Sequence, residues 1–136
     1  MMCVFCSIIA HEAPAHLVFH NEHVIAFLDR TPLFHGHVLV VPRKHVVTLA
    51  DLLDVTPLFD SVKRLSASVP RAMKAQGSFV AMNNVVSQSV PHLHVHVVPR
   101  TKGDGLKGFF WPRKKYAEGE MEATAEAVRK DLESTR

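Results

Sequence analysis

The sequence predicts an α+β domain, an antiparallel sheet with helices packed against it. Three stretches carry that expectation. Pro91-His92-Leu93-His94-Val95-His96-Val97-Val98-Pro99 alternates polar and apolar residues, the period of a strand with one buried face. His16–His20 and His23–Asp29 flank Asn21-Glu22 as the arms of a hairpin. Thr56-Pro57 opens a run in which Leu58, Val62, Leu65 and Val69 recur at helical spacing.

In chain order, Ser7–Ala10 has the spacing of a short helix, and the hairpin arms follow. Thr31-Pro32 and Gly36 mark a loop before a strand from His37 to Val41, which Pro42 ends. Asp29 closes its strand where a carboxylate must be exposed or hydrogen-bonded. Thr56 reads as the N-cap of a helix with proline at its first position, reaching about Lys74 and kinked at Pro70. Ser78–Asn83 is the next strand, and 84–91 the loop into the alternating stretch. There Pro91 and Pro99 fence a strand, because neither can donate inside a ladder. Alanine and charge fill Ala117–Glu133, a C-terminal helix despite Gly119. His11, His16, His20, His23 and His35 read as surface or strand-face residues, as do the basic residues of the 56–74 helix.

At 136 residues the chain has the length of one domain, 1–136, with no repeat and no linker. Hydrophobic content of 47% and charged content of 21% exclude disorder and fibre. A formal charge of +3 suits phosphorylated ligands, but the basic residues are scattered, which argues against nucleic acid. No apolar run approaches the roughly 20 residues a membrane span needs, and no secretory signal is visible. The expected location is the cytoplasm. In that reducing setting Cys3-Val4-Phe5-Cys6 reads as a metal half-site, with two small buried hydrophobes as the competing reading.

On the alternating strand His92, His94 and His96 share one face, and Leu93, Val95 and Val97 the other. Alternate Cβ atoms lie about 6.6 Å apart, so one zinc ion could hold two neighbouring imidazoles but hardly three. A solvated face does not need three histidines at period two. Catalysis remains, with the central imidazole working and its flanks orienting it, because imidazole is nucleophilic near neutral pH and also carries protons.

Gln88-Ser89-Val90-Pro91-His92-Leu93-His94-Val95-His96-Val97-Val98-Pro99-Arg100 resembles the signature of the histidine triad (HIT) family of nucleotide hydrolases and transferases. The resemblance extends to Ala26-Phe27-Leu28-Asp29 and to Gly36-His37-Val38-Leu39-Val40-Val41-Pro42-Arg43-Lys44-His45, covering about Cys3 to Trp111. It implies a HIT-like fold with a sheet of about five strands. It implies His94 as nucleophile at the α-phosphorus of a purine nucleotide, His96 and Ser89 as donors to the phosphate, and Gln88 steering the leaving group. Asn83 joins them as a phosphate contact. Asp29 would hold the ribose hydroxyls, Phe5, Ile8 and Phe27 the base, with plain core packing an equal alternative for those three. His37 would orient the site from beside it. Structural zinc would be held by Cys3, Cys6, His45 and His92, and no divalent cation is needed for the chemical step.

One departure stands out. The family's loop before the glutamine is glycine-rich and about two residues longer, whereas this chain has Asn83-Asn84-Val85-Val86-Ser87-Gln88, which puts the phosphate cradle in doubt. Gly108-Phe109-Phe110-Trp111-Pro112-Arg113-Lys114-Lys115 could stack bases, cap the core or contact a partner subunit; the last is favoured, since family members are commonly homodimers. Hydrolysis of a nucleoside phosphoramidate or a dinucleoside polyphosphate, through a nucleotidyl-histidine, is the leading expectation. Alternatives are a nucleotidyltransferase, a nucleotide-binding signalling module with incidental hydrolysis, and a histidine-based metal sensor.

Overall fold

The computed structural model describes residues 3–107 and 113–134. The chain divides into two compact units, Met1–Asp104 and Gly105–Arg136. The first contains a five-stranded sheet, β1 (Leu17–His20), β2 (Val24–Leu28), β3 (Val38–Pro42), β4 (Gly77–Ala81) and β5 (Val95–Arg100). Their order is β1-β2-β3-β5-β4, and every neighbouring pair is antiparallel.

Strand alternation divides the core into two layers. Val24, Ala26, Val38, Val40, Leu93, Val95 and Val97 face helix α2 (Thr56–Ala72), which buries Leu58, Val62, Leu65 and Val69 against them. Each such side chain contributes about 1.5–3 kcal/mol on leaving water. Ile25, Phe27, Leu39 and Val41 face the other way, under helix α1 (Val4–Ile9), which adds Phe5 and Ile8. The histidines of 92–96 lie on this second side, so the expected division of faces is what the fold builds.

Several boundaries differ from expectation. Helix α1 begins at Val4 because the Cys3 side chain caps it, accepting from the Cys6 amide. Thr56 lies inside α2, while Asp54 accepts from its amide at 3.0 Å. Pro70 ends the helix less abruptly than a kink would: α2 runs two residues past it, to Ala72. Pro99 does not end the triad strand. It lies within β5 opposite Ser78, where β3 no longer pairs and its missing N–H costs no ladder bond. The regular strand starts only at Val95; residues 91–94 approach it irregularly, with the Leu93 amide donating to the Val46 carbonyl at 2.8 Å.

In the second unit α3 (Glu120–Ser134) begins after Gly119, whose φ of 77° lies in the left-handed region. The Glu120 carboxylate accepts from the Ala117 amide. Most of the aromatic segment 108–115, expected as a subunit contact, lies outside the described residues.

Candidate active site and metal centre

Each triad histidine does a different job, and hydrogen bonds to groups of fixed polarity define its tautomer. His94 Nδ1 lies 2.8 Å from the His92 carbonyl, which only accepts, so Nδ1 carries the proton and Nε2 keeps its lone pair. The ring is 4% exposed, with Phe5 edge-on at 5.1 Å and His96 at 5.1 Å between ring centroids. Nε2 has no hydrogen bond among the described residues, and no fully buried side-chain nitrogen among them lacks a partner. The free nitrogen is therefore not fully buried.

His96 is reached through His37. The Leu33 amide donates to His37 Nδ1 at 3.0 Å, so a neutral His37 carries its proton on Nε2. That N–H donates to His96 Nδ1 at 2.9 Å, which leaves His96 a donor at Nε2. Burial, then the neighbouring His94 and His37 rings, pushes His96 down to about 4 against a partial opposing pull from Asp29. Burial likewise lowers His37, again opposed by Asp29. Both rings are neutral at pH 7. The Asp29 carboxylate lies 3.7 Å from His37 Nε2 and accepts from the Thr31 amide and hydroxyl.

Asp29, His37 and His96 lie close enough to suggest a cation site. Their bonding argues against one: with His37 Nδ1 accepting from the Leu33 amide, a cation on Nε2 would require that nitrogen to lose its proton and the ring to become an imidazolate. His37 and His96 instead form a hydrogen-bond relay, with the Asp29 carboxylate beside it.

His92 takes no part in that relay. Its Nε2–H donates to the Pro42 carbonyl at 2.8 Å, and its Nδ1 lone pair faces Cys3 Sγ at 3.4 Å, Cys6 Sγ at 3.5 Å and His45 Nδ1 at 3.1 Å. Cys6 Sγ is 3.3 Å from His45 Nδ1. Zinc bonds of about 2.1 Å to nitrogen and about 2.3 Å to sulfur give tetrahedral edges of about 3.4 Å between nitrogens and about 3.6 Å between nitrogen and sulfur. These four separations match such edges to within a few tenths of an ångström, and all four donor atoms lie within 4.8 Å of one another. Partial burial and the neighbouring Cys3 thiol push the Cys6 thiol up; a bound cation would reverse that by taking the thiolate.

The loop 83–89 is tied down by its own side chains. Gln88 accepts from the Val85 amide at 3.0 Å and donates to the Val47 carbonyl at 2.6 Å, keeping one N–H to spare. Asn83 donates to the Ser87 carbonyl, and Asn84 accepts from the Leu49 amide. Ser89 is exposed at its end. Val85 and Ser87 have φ of 73° and 62°, left-handed values at which glycine would be at ease. Phe5, Ile8 and Phe27 pack together on the same side of the sheet as the histidines, Phe5 and Phe27 edge to face at 5.4 Å.

The groups that sequence reasoning missed are backbone ones: the carbonyls of Pro42, Val47 and His92 and the amide of Leu33. They have no side-chain signature, so only the fold could reveal them.

The HIT domain family matches residues 10–103. An uncharacterised HIT-like protein of Methanocaldococcus jannaschii is 41% identical over 108 residues, 76% of this chain and 83% of the relative. The crystal structure of a histidine triad nucleotide-binding protein from Candida albicans superposes with a TM-score of 0.85 at 25% identity, covering 99% of this chain and 100% of that one. A zinc-bound histidine triad family protein from Mycobacterium smegmatis gives 0.73 at 32% identity, covering 98% and 97%. The match over residues 10–103 and the shared fold establish that this chain belongs to the HIT family.

Proposed function

We propose that the protein hydrolyses a purine nucleoside phosphoramidate or a dinucleoside polyphosphate at the α-phosphate. His94 Nε2 attacks the α-phosphorus and expels the leaving group, giving a nucleotidyl-histidine; water then displaces the imidazole and releases a nucleoside monophosphate. The observation that carries this reading is the tautomer of His94, whose Nδ1–H is held by the His92 carbonyl while Nε2 is left free. His96 offers an N–H where negative charge gathers on the phosphoryl oxygens, with Ser89 as a second donor. Gln88 turns its spare N–H to the leaving group. Asp29 takes the ribose hydroxyls, Asn83 shapes the phosphate loop, and Phe5, Ile8 and Phe27 form the wall for the base.

The chemistry needs no divalent cation. Zinc bound by Cys3, Cys6, His45 and His92 would have no open position and would act structurally. The zinc-bound M. smegmatis relative supports this assignment. Paired free thiols suit a reducing cytoplasm. β4 lies at a sheet edge, which suits a homodimer built by extending the sheet.

The test is turnover of adenosine phosphoramidate and of diadenosine tetraphosphate by the wild type and by His94→Ala. Loss of at least about a thousandfold, with label trapped on His94 in the wild type, is expected for nucleophilic catalysis. Unchanged slow turnover in the variant would favour a nucleotide-binding module. The observation on that side is the loop 83–89, whose left-handed positions lack glycine.

A further inference from the structure

The metal donors and the nucleophile share one residue. His92 offers Nδ1 to the donor cluster and donates from Nε2 to Pro42, so a bound cation would commit both ring nitrogens. The carbonyl of this same residue holds Nδ1–H of His94. Any shift of residue 92 therefore displaces the group that sets the nucleophile's tautomer.

A second path runs through α1. Cys3 caps this helix and Cys6 lies within it. Between them Phe5 presents its ring to His92 at 5.9 Å and to His94 at 5.1 Å, both edge to face. Six residues are too few for a helix to persist alone in water. What docks α1 is the burial of Phe5 and Ile8 together with whatever the two sulfurs bind.

We infer that metal occupancy of Cys3, Cys6, His45 and His92 and nucleotide binding at the triad are thermodynamically coupled, each raising the affinity for the other through Phe5 and the His92 carbonyl. The inference rests on the nucleotide reading above and adds a mode of regulation to that site. Docked α1 is the shared element. A cation draws the two sulfurs onto His45 in the loop after β3 and His92 before β5, which seats Phe5; a nucleotide packed on Phe5 holds α1 down, which keeps the two sulfurs in place. Linkage makes the effect reciprocal, and couplings of this kind span roughly 5–150-fold.

The experiment uses the full chain, zinc-free and zinc-loaded, with AMP as the probe. Calorimetry gives the AMP affinity of each form, and competition with a chromophoric chelator gives the zinc affinity with and without AMP. Hydrogen exchange at the amides of residues 4–9 reports docking independently of any activity. Both affinities should rise by the same factor, about five-fold or more, and exchange in α1 should slow with zinc and slow further with AMP. Phe5→Ala should still bind zinc while both factors shrink together. Equal AMP affinity with and without zinc, or exchange in α1 indifferent to zinc, would overturn the coupling and leave the nucleotide reading standing. Absence of AMP binding in both forms would overturn the nucleotide reading and the coupling with it.

Discussion

Val85 offers a test in which two neighbouring residues should respond with opposite sign. Its φ of 73° is left-handed, a region costing an L-residue about 1–2 kcal/mol, and β-branching makes valine a poor occupant. It is 73% exposed, so its side chain contributes little packing. Val85→Gly should remove the strain and lose about 0.5–1 kcal/mol to chain entropy, a net stabilisation of about 0.5 kcal/mol. Val86 is 78% exposed and has no left-handed φ, so Val86→Gly pays the entropy alone and should destabilise by about 0.5–1 kcal/mol. The two variants have identical composition, so their difference isolates the backbone effect at about 1–2 kcal/mol. Urea unfolding at fixed pH and metal content measures it. Equal destabilisation by both substitutions would refute the claim that this loop stores strain where glycine is missing.

Three further outcomes follow from the same geometry. His96 falls from the usual 6.5 to about 4, so the unfolded chain binds more protons between those values and stability should drop as pH falls through that window. The loss from this ring is at most about 3 kcal/mol, and denaturant titrations at stepped pH on wild type and His96→Asn would separate its share. Gly36→Ala should destabilise by roughly 1–3 kcal/mol, because φ is 95° there and a Cβ would lie 2.5 Å from Met73 Cγ. Adding Met73→Ala should relieve only the contact and not the backbone strain, as a double-mutant cycle in thermal unfolding would show. Cys6→Ser should lower bound zinc well below one ion per chain by elemental analysis, whereas His37→Gln, outside the donor set, should leave the zinc content unchanged.

Much of the molecule could be read from side-chain pattern. Period-two alternation placed Leu93, Val95 and Val97 opposite the histidines, since a pleated chain has only two faces. Helical spacing marked Leu58, Val62, Leu65 and Val69 as the buried stripe of α2 for an equally local reason. The resemblance pointed to Cys3, Cys6, His45 and His92 as metal ligands, and the fold gathers these four side chains into one cluster that could hold an ion. Less legible were boundaries set by main-chain contacts, such as the Cys3 cap of α1 and the persistence of β5 through Pro99.

What the sequence determined by itself is the supply of imidazoles, thiols and apolar faces, because residue type and local periodicity suffice for that. What the tertiary structure alone decided is which nitrogen of each imidazole carries its proton. That choice depends on carbonyls and amides of Pro42, His92 and Leu33, and only the folded chain brings these main-chain groups to the rings. Three histidines of one residue type thereby become a member of a candidate metal-donor cluster, a free lone pair and a hydrogen-bond donor.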